Sequence, residues 1–488
     1  MNPVKRTRCR LVLVFALVLV PAGIVAAGSD DVVARAGGTE VLGLDACVRL
    51  AIAGNDQLQA ERHRREELDG KMDQALSTGL PTLDAVGGWN RGRDPSFALD
   101  ESFGGGGGGG FDTGDPVLDD LFNNIDFLPA PEDIPAQTFW RASLNLSWTI
   151  NPTKILGAIG AAGQGIRRQE LIMAQTRFAV EEQVIGAYHG IILAEEQVRA
   201  AEAELANQDE FLSIVRLRFA RGMATSLDTL QAAVTVANVE PRVRSARQGL
   251  KVAGARLNAA MGRDPEAPLT VRREQFIETD EIDRDAALVM AGRRPEVEQL
   301  VVMEDLLRQS RRAQKADARP YFTVNSSYGY VGKAVADLDD TGHDFWSAAV
   351  ALNVPLFTGR LTHGLVKETE ASIRRTGVER RGLIRQVRVE VLDLLDNLET
   401  AHHNLAAAEL NMVRADLLLD DSTVMMRLGK ADYLTVLQSE SNRAQARTNL
   451  IQARYDVLAL TASLKTAIGV SPMLPLAAVD GLMQGEKE

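Results

Sequence analysis

The sequence predicts a mostly α-helical chain of two internal repeats, each carrying one transmembrane β-hairpin. Three observations lead there. A heptad stripe is too long for a globular helix, the stripe recurs in the other half of the chain, and short stretches in both halves alternate apolar and polar residues. Every seventh residue from Ile384 (Val391, Leu398, Leu405, Met412, Leu419, Met426) is apolar. Val387, Leu394, Ala401, Ala408 and Ala415 follow the first five by three. Such an a/d stripe marks helices packed side by side over a long distance. No proline occurs from Leu356 to Ser471, so a helix from about Thr362 to Arg427 would be roughly 100 Å long at ~1.5 Å per residue. Globular helices average roughly 11–12 residues; this one is a spacer.

The same frame occurs 207 residues earlier, with Val184, Ile191, Val198, Leu205, Leu212 and Phe219 at a and Val180, Ala187, Ala194, Ala201 and Val215 at d. Gly222 superposes on Gly429, Leu227 on Leu434, Leu230 on Leu437 and Gln231 on Gln438; Phe139-Trp140 and Phe345-Trp346 match at an offset of 206. Upstream the offset is 238 to 239 (Gly54 with Gly292, Pro81 with Pro320), which places an extra 33 residues between Pro81 and Phe139. This is an internal duplication with one enlarged loop. The expected division is a leader at 1–27, a first repeat at 28–262 with a Gly/Asp-rich loop at 92–138, a linker at 263–284, a second repeat at 285–471 and a tail at 472–488.

Taken in order, Lys5, Arg6, Arg8 and Arg10 precede the apolar run Leu11–Val20, and Val25-Ala26-Ala27 fits a cleavage site. That is a secretory signal peptide. Cys9 precedes the apolar run, so it is not an acylation cysteine, and Cys47 is the only thiol of the mature chain. Losing four leader cations takes the net charge from −12 to −16. An acidic chain with no basic patch argues against nucleic acid as a partner. No other segment has the roughly 18 apolar residues of a membrane helix.

Leu42 to about Ser77 has helical spacing, and then the period changes to two. Thr82–Arg91 places Leu83, Ala85, Gly87 and Trp89 on one side. In the next strand Trp140, Ala142, Leu144, Leu146, Trp148 and Ile150 alternate with polar residues. Alternation alone also suits a soluble sheet. The end-placed Trp140 and Trp148 and a length of ~10–11 residues favour a membrane strand with an aromatic girdle. Tyr321–Val331 and Phe345–Leu356 repeat the pair, with Trp346 as the matching girdle residue. A sheet in lipid cannot keep open edges, and single-chain barrels need at least about eight strands. Four strands per chain therefore require oligomers: two chains would make a filled barrel, and three would make twelve strands around a lumen. A channel favours three or more, and a homotrimer in the lipid bilayer is expected.

The loop after the first strand contains Gly104–Gly110 and many carboxylates. Its glycines match GxGxxG trivially, but no βαβ unit surrounds them, so it reads as a surface loop. The second hairpin loop, Gly332 to Asp344, is short and also acidic. Pro241 should kink the return from about Ser226 to Met261. His402 and His403 diverge by roughly 100° around a helix and lack a third ligand. There is no HExxH, GxSxG or CxxC. Neither a metal, a cofactor nor an enzymatic activity is expected.

At this point the chain resembles the TolC-like outer-membrane efflux protein family over essentially all of its mature length. The residues that carry the resemblance are Val354-Pro355-Leu356-Phe357-Thr358-Gly359, the tips Arg218-Phe219-Ala220-Arg221-Gly222 and Arg427-Leu428-Gly429-Lys430-Ala431, and the return starts Leu227-Asp228-Thr229-Leu230-Gln231-Ala232 and Leu434-Thr435-Val436-Leu437-Gln438. Each motif is weak alone; their order in a duplicated frame is strong. The resemblance implies a homotrimer whose twelve-stranded barrel continues into a long periplasmic α-helical barrel. It also implies a periplasmic adaptor at the tips, coupled to an inner-membrane pump.

Adaptor contact would then fall on Arg218, Gly222, Arg427, Leu428 and Gly429. Local geometry explains part of that set without any partner, since a sharp reversal needs glycine and cations suit helix C-termini. Family members sometimes ring the periplasmic gate with carboxylates early in the second return helix. Here Thr435 and Gln438 stand at those positions, so Asp228 and Asp432 become substitute gate candidates. Both also fit as helix-start acids favoured by the dipole. The expected function is a passive outer-membrane exit channel for tripartite efflux or type I secretion. A periplasmic coiled-coil interaction protein without a pore is the alternative.

Overall fold

The computed structural model describes residues 41–92, 136–272, 283–339 and 342–474. The leader, nearly all of the Gly/Asp-rich loop, residues 273–282 of the linker, Asp340 of the second hairpin loop and the tail beyond 474 lie outside the described residues. Strand β1 (Val41–Leu42) leads to α1 (Leu44–Gly54), α2 (Asp56–Ser77), β2 (Thr82–Gly92), β3 (Gln137–Ile150), the long α3 (Pro152–Ala220) and its return α4 (Ser226–Ala260). Then come β4 (Thr270–Val271), α5 (Arg284–Ala291), α6 (Pro295–Ala316), β5 (Tyr321–Gly332), a 3-10 turn (Val335–Asp339), β6 (Asp344–Asn353), the long α7 (Leu361–Arg427) and α8 (Tyr433–Ala467).

Both spacers are single helices, of 69 and 67 residues, so each is ~100 Å long. The heptad stripe is their packing seam. Val387, Val391, Leu398, Ala401 and Leu405 are buried on α7 against Ala453, Val457 and Leu464 of α8 and Ala287 and Ala291 of α5. On α3, Val180, Val184 and Ile191 are buried with Cys47, Val48 and Ala51 of α1 and Leu257 and Ala260 of α4. Each half thus has its own apolar core. Towards the membrane, α6 packs between α3 and α7. Gly157 lets α3 come close there, because a Cβ at that position would meet the Ala313 backbone nitrogen at 2.8 Å. Thr369 and Thr376 are buried on the same stretch of α7; the Thr369 hydroxyl reaches Gln314 Oε1 at 2.8 Å.

Three expectations need correction. The helix expected over Leu42–Ser77 breaks at Asn55. Its side-chain oxygen caps α2 by accepting from the backbone N–H of Gln57 (2.9 Å) and Leu58 (3.4 Å), while its amide donates to the Ala260 carbonyl (3.0 Å). Within the expected linker 263–284, β4 pairs in parallel with β1 (Val41 with Thr270, Leu42 with Val271). The fourth strand ends at Asn353 rather than Leu356, because Pro355 has no N–H for the ladder. Pro241, where a kink is expected, lies inside α4, which spans Ser226–Ala260. Phe219, the last a residue of the first stripe, is exposed, as is Leu217 beside it.

The two halves meet along α3 and α8. Glu196 is buried there, with Arg199 at 2.8 Å and Arg447 of α8 at 3.0 Å. The C-terminal segment adds a second tie: the Ser471 hydroxyl donates to the buried Glu181, and Lys465 Nζ donates to the carbonyls of Pro472 (3.3 Å) and Leu474 (2.7 Å). No described helix is long and apolar enough to cross a membrane.

Candidate functional site: the membrane sheet and the helical tips

The four strands form one antiparallel sheet in the order β2-β3-β5-β6. Its register decides which residues share a face. Leu83, Leu146, Ser326 and Ala348 form one rung, and Ala85, Leu144, Tyr328 and Trp346 the next. Trp148 aligns with Val324 and Val350, and Ile150 with Phe322 and Leu352. Every apolar stripe read from the sequence therefore falls on the same side of one sheet. Sheets turn successive side chains to opposite faces, so Asp84, Asn145, Ser327 and Ser347 share the other side. There the Ser327 and Ser347 hydroxyls meet at 2.7 Å, and Asn353 donates to Thr323 at 3.0 Å. Arg141 lies 4.7 Å over the Phe345 ring on this polar side.

The expected girdle residues all lie on the apolar side, but only Trp140 and Trp148 stand towards its two ends. Trp140 packs against Trp89 with centroids 6.4 Å apart near the hairpin-loop end. Trp346, opposite Tyr328, is two rungs nearer the middle and largely exposed. Trp148 is at the helix end, where its indole N–H donates to the Gly79 carbonyl (2.9 Å). Among the described residues, strands β2 and β6 have no outer neighbour.

At the opposite end of the rods, both tips close by the same backbone device. Met223 N–H donates to the Arg218 carbonyl (2.8 Å) and Gly222 N–H to Phe219 (2.9 Å). In the second tip, Lys430 N–H donates to Met425 (2.8 Å) and Gly429 N–H to Met426 (3.0 Å). This six-to-one closure needs a left-handed residue, and Gly222 and Gly429 supply it at φ 74° and 71°. Arg218 and Arg427 stand in the last turns, where the helix dipole favours cations.

Three of the gate candidates, Asp228, Asp432 and Thr435, take part in helix caps. Thr225 and Asp228 form a reciprocal capping box: Thr225 Oγ1 accepts from Asp228 N–H (3.2 Å), and Asp228 Oδ2 accepts from Thr225 N–H (2.8 Å). In the second tip Asp432 Oδ1 accepts from Thr435 N–H (3.0 Å) and from its hydroxyl (2.8 Å). Thr225's backbone N–H, then its hydroxyl, holds the Asp228 carboxyl below the usual range. For Asp432 the Thr435 hydroxyl and N–H do the same, and the charge of Arg218 adds a smaller contribution. Gln438 is exposed, with its amide on Asn442 at 3.2 Å. The sequence-derived tip set omits a group of apolar side chains. Met223, Leu227 and Leu230 at the first tip, and Leu434 beside Leu428 at the second, are all exposed. The repeat signals only one of these positions, Leu227 with Leu434; Met223 aligns with Lys430, Leu428 with Arg221 and Leu230 with the buried Leu437. Among the described residues no group of His, Cys, Asp or Glu is placed to hold a metal.

Similarity to known proteins agrees with this geometry. The family model "Outer membrane efflux protein" matches residues 47–263 and 290–470. The chain is 23% identical over 313 residues to the alkaline protease secretion protein AprF of Pseudomonas aeruginosa, covering 62% of this chain and 64% of AprF, just under two thirds of that relative's length. It is 21% identical over 352 residues to the outer membrane protein TolC of Vibrio cholerae, covering 71% and 79% of the two chains. The crystal structure of the Campylobacter jejuni CmeC outer membrane channel superposes with a TM-score of 0.71 at 14% identity, covering 90% of this chain and 89% of that one. The family is one of outer-membrane transport proteins, not of enzymes. The chain belongs to the outer membrane efflux protein family.

Proposed function

We propose that this protein is the outer-membrane exit channel of a tripartite efflux pump or type I secretion system, acting as a passive trimeric pore. The observation that carries the reading is the sheet. All its apolar stripes share one face, while among the described residues β2 and β6 leave both edges unpaired. In lipid each unsatisfied backbone group costs several kcal/mol, so the edges pair with those of other copies. Three chains give twelve strands with the polar face around a lumen. The rods of ~100 Å then extend the duct through the periplasm.

The tips are the docking and gating end. Arg218, Gly222, Arg427, Leu428 and Gly429, with the exposed apolar residues around them, would meet the adaptor, which couples the duct to an inner-membrane pump. Asp228, Asp432, Thr435 and Gln438 are the gate candidates. The two-repeat division, 28–262 and 285–471, belongs to the same proposal. The deciding experiment is the native mass of protein extracted by detergent from the outer-membrane fraction, with bound detergent subtracted. Three chains are expected. A monomer or dimer recovered from the soluble periplasm would overturn the pore and favour a coiled-coil interaction protein.

A further inference from the structure

The apolar face of β6 continues after its hydrogen bonding stops. Trp346, Ala348, Val350 and Leu352 lie on the apolar side of the sheet. Beyond Asn353 the chain runs on as Val354-Pro355-Leu356-Phe357-Thr358-Gly359, outside any helix or strand, until α7 begins at Leu361. Leu356 is 93% and Phe357 82% exposed, the two most exposed large apolar side chains among the described residues. Leaving two such side chains in water forgoes the free energy of burying them. At the same end of the sheet, Leu80 before β2 and Leu156 in the first turns of α3 are also well exposed.

We propose that Val354–Phe357 is an interfacial anchor, seated among phospholipid acyl chains at the periplasmic boundary of the outer membrane. The inference goes beyond the exit-channel reading and rests on it for the orientation of the sheet. Two features select lipid as the occupant. First, the segment prolongs the face already turned to lipid, with Val354 and Leu356 keeping the even-numbered stripe through Pro355. Second, the flanking charges suit headgroups. Arg360 is exposed directly after the segment, and Arg319 is exposed just before β5, while Lys154 at the start of α3 is paired with Asp317 at 2.8 Å. Apolar residues beside cations are the pattern of segments that lie in a membrane interface. Gly359 and Arg360 both take positive φ, 61° and 66°, and so turn the chain into α7 immediately after Phe357. Arg360 is the only non-glycine residue in that region among those described, a conformation that side chains adopt at a cost.

The test uses single cysteines carrying an environment-sensitive bimane label in the full-length protein, reconstituted into phosphatidylethanolamine–phosphatidylglycerol vesicles. Sites are Phe357→Cys, Val350→Cys on the strand, and Glu66→Cys on the exposed face of α2. Cys47 is fully buried, and the native protein labelled in parallel supplies the background. Phospholipids brominated high on the acyl chain quench from the membrane, and iodide quenches from water. The expected result is lipid quenching at 357 comparable to that at 350, with iodide quenching several-fold weaker than at 66. Iodide access at 357 equal to that at 66 would overturn the anchor. So would protection from both quenchers, which would mean that protein, such as a second copy, covers the segment. If the label at 350 also escapes lipid quenching, the barrel reading itself fails; if 350 is quenched and 357 is not, only the anchor fails.

Discussion

In the first half the return helix starts with Thr225 at the cap and Asp228 three residues later; in the second, Asp432 is the cap and Thr435 follows. The same two side-chain types are present in opposite order. Either order places a side-chain oxygen where the third helical N–H needs an acceptor, so the duplication preserved a hydrogen-bond requirement rather than a residue. The exchange is not perfectly symmetric. In both tips the threonine hydroxyl donates to the carboxylate (2.8 Å each), but Asp228 also accepts from the backbone N–H of Thr225, a bond with no counterpart seen between Asp432 and Thr435. A carboxylate recruited to a gate would have to leave its cap in either tip.

The halves differ again at the membrane end. Ile150 of β3 is still paired, with Phe322. Its counterpart in β6, Leu356, lies past the last rung because Pro355 ends the ladder. The repeat therefore supplies equal apolar patterning to unequal lengths of strand.

The strongest way to break this comparison is a charge on the lipid face. Leu146→Arg should cost ~2–4 kcal/mol near the bilayer midplane and lower the amount of assembled protein in outer-membrane fractions. Its repeat counterpart Leu352 sits on the last apolar rung, so Leu352→Arg should cost about 0–1 kcal/mol near the interface. Equal losses would contradict the assigned depths.

Next in size is an acid effect confined to the first half. Burial pushes the His189 imidazole down to about 4, while its counterpart Asp396 is exposed beside Arg284. A depressed histidine stabilises the fold fully above its unfolded value of 6.5, and that contribution is lost as pH falls from 6.5 towards 4. The loss approaches about 3 kcal/mol. Protection factors, corrected for the intrinsic pH dependence of exchange, should thus fall along α3 more than along α7 between pH 7 and 5, and His189→Gln should level the two.

Smaller effects sharpen the comparison at the tips. Gly222→Val and Gly429→Val each force a β-branched residue to positive φ, at roughly 1–2 kcal/mol. Assembled trimers should persist while export falls in a strain dependent on this protein. Unchanged drug resistance would remove the tips from docking. Thr225→Ala and Asp432→Ala should each cost about 1 kcal/mol, read as faster exchange in the first turns of α4 and α8. The double exchange Asp432→Thr with Thr435→Asp should be close to neutral, and a large loss would show that the order of the pair matters. Because both carboxyls are held below the ordinary range, their caps persist above it and are lost only as pH falls beneath it.

The sequence by itself determined the features set by local period and repetition. The heptad stripe marked both rods, because a seam of that length requires an apolar residue about every 3.5 positions. Period-two stretches marked all four strands, since alternate side chains face one way. Tip glycines were visible because a tight helix reversal needs positive φ. Tertiary structure alone decided matters that depend on residues distant in the chain. Pairing of β1 with β4 joins two-residue segments far too short to show a pattern. The burial of Thr369 and Thr376 follows from α6 packing on α7, where polar side chains find partners such as Gln314. Asn55 became a cap for α2 and a link to Ala260, although Gly54-Asn55-Asp56 also held a local start signal. Above all, only the register showed that the four apolar stripes share a single face, because a one-residue slip between strands inverts that face without altering any strand's own pattern.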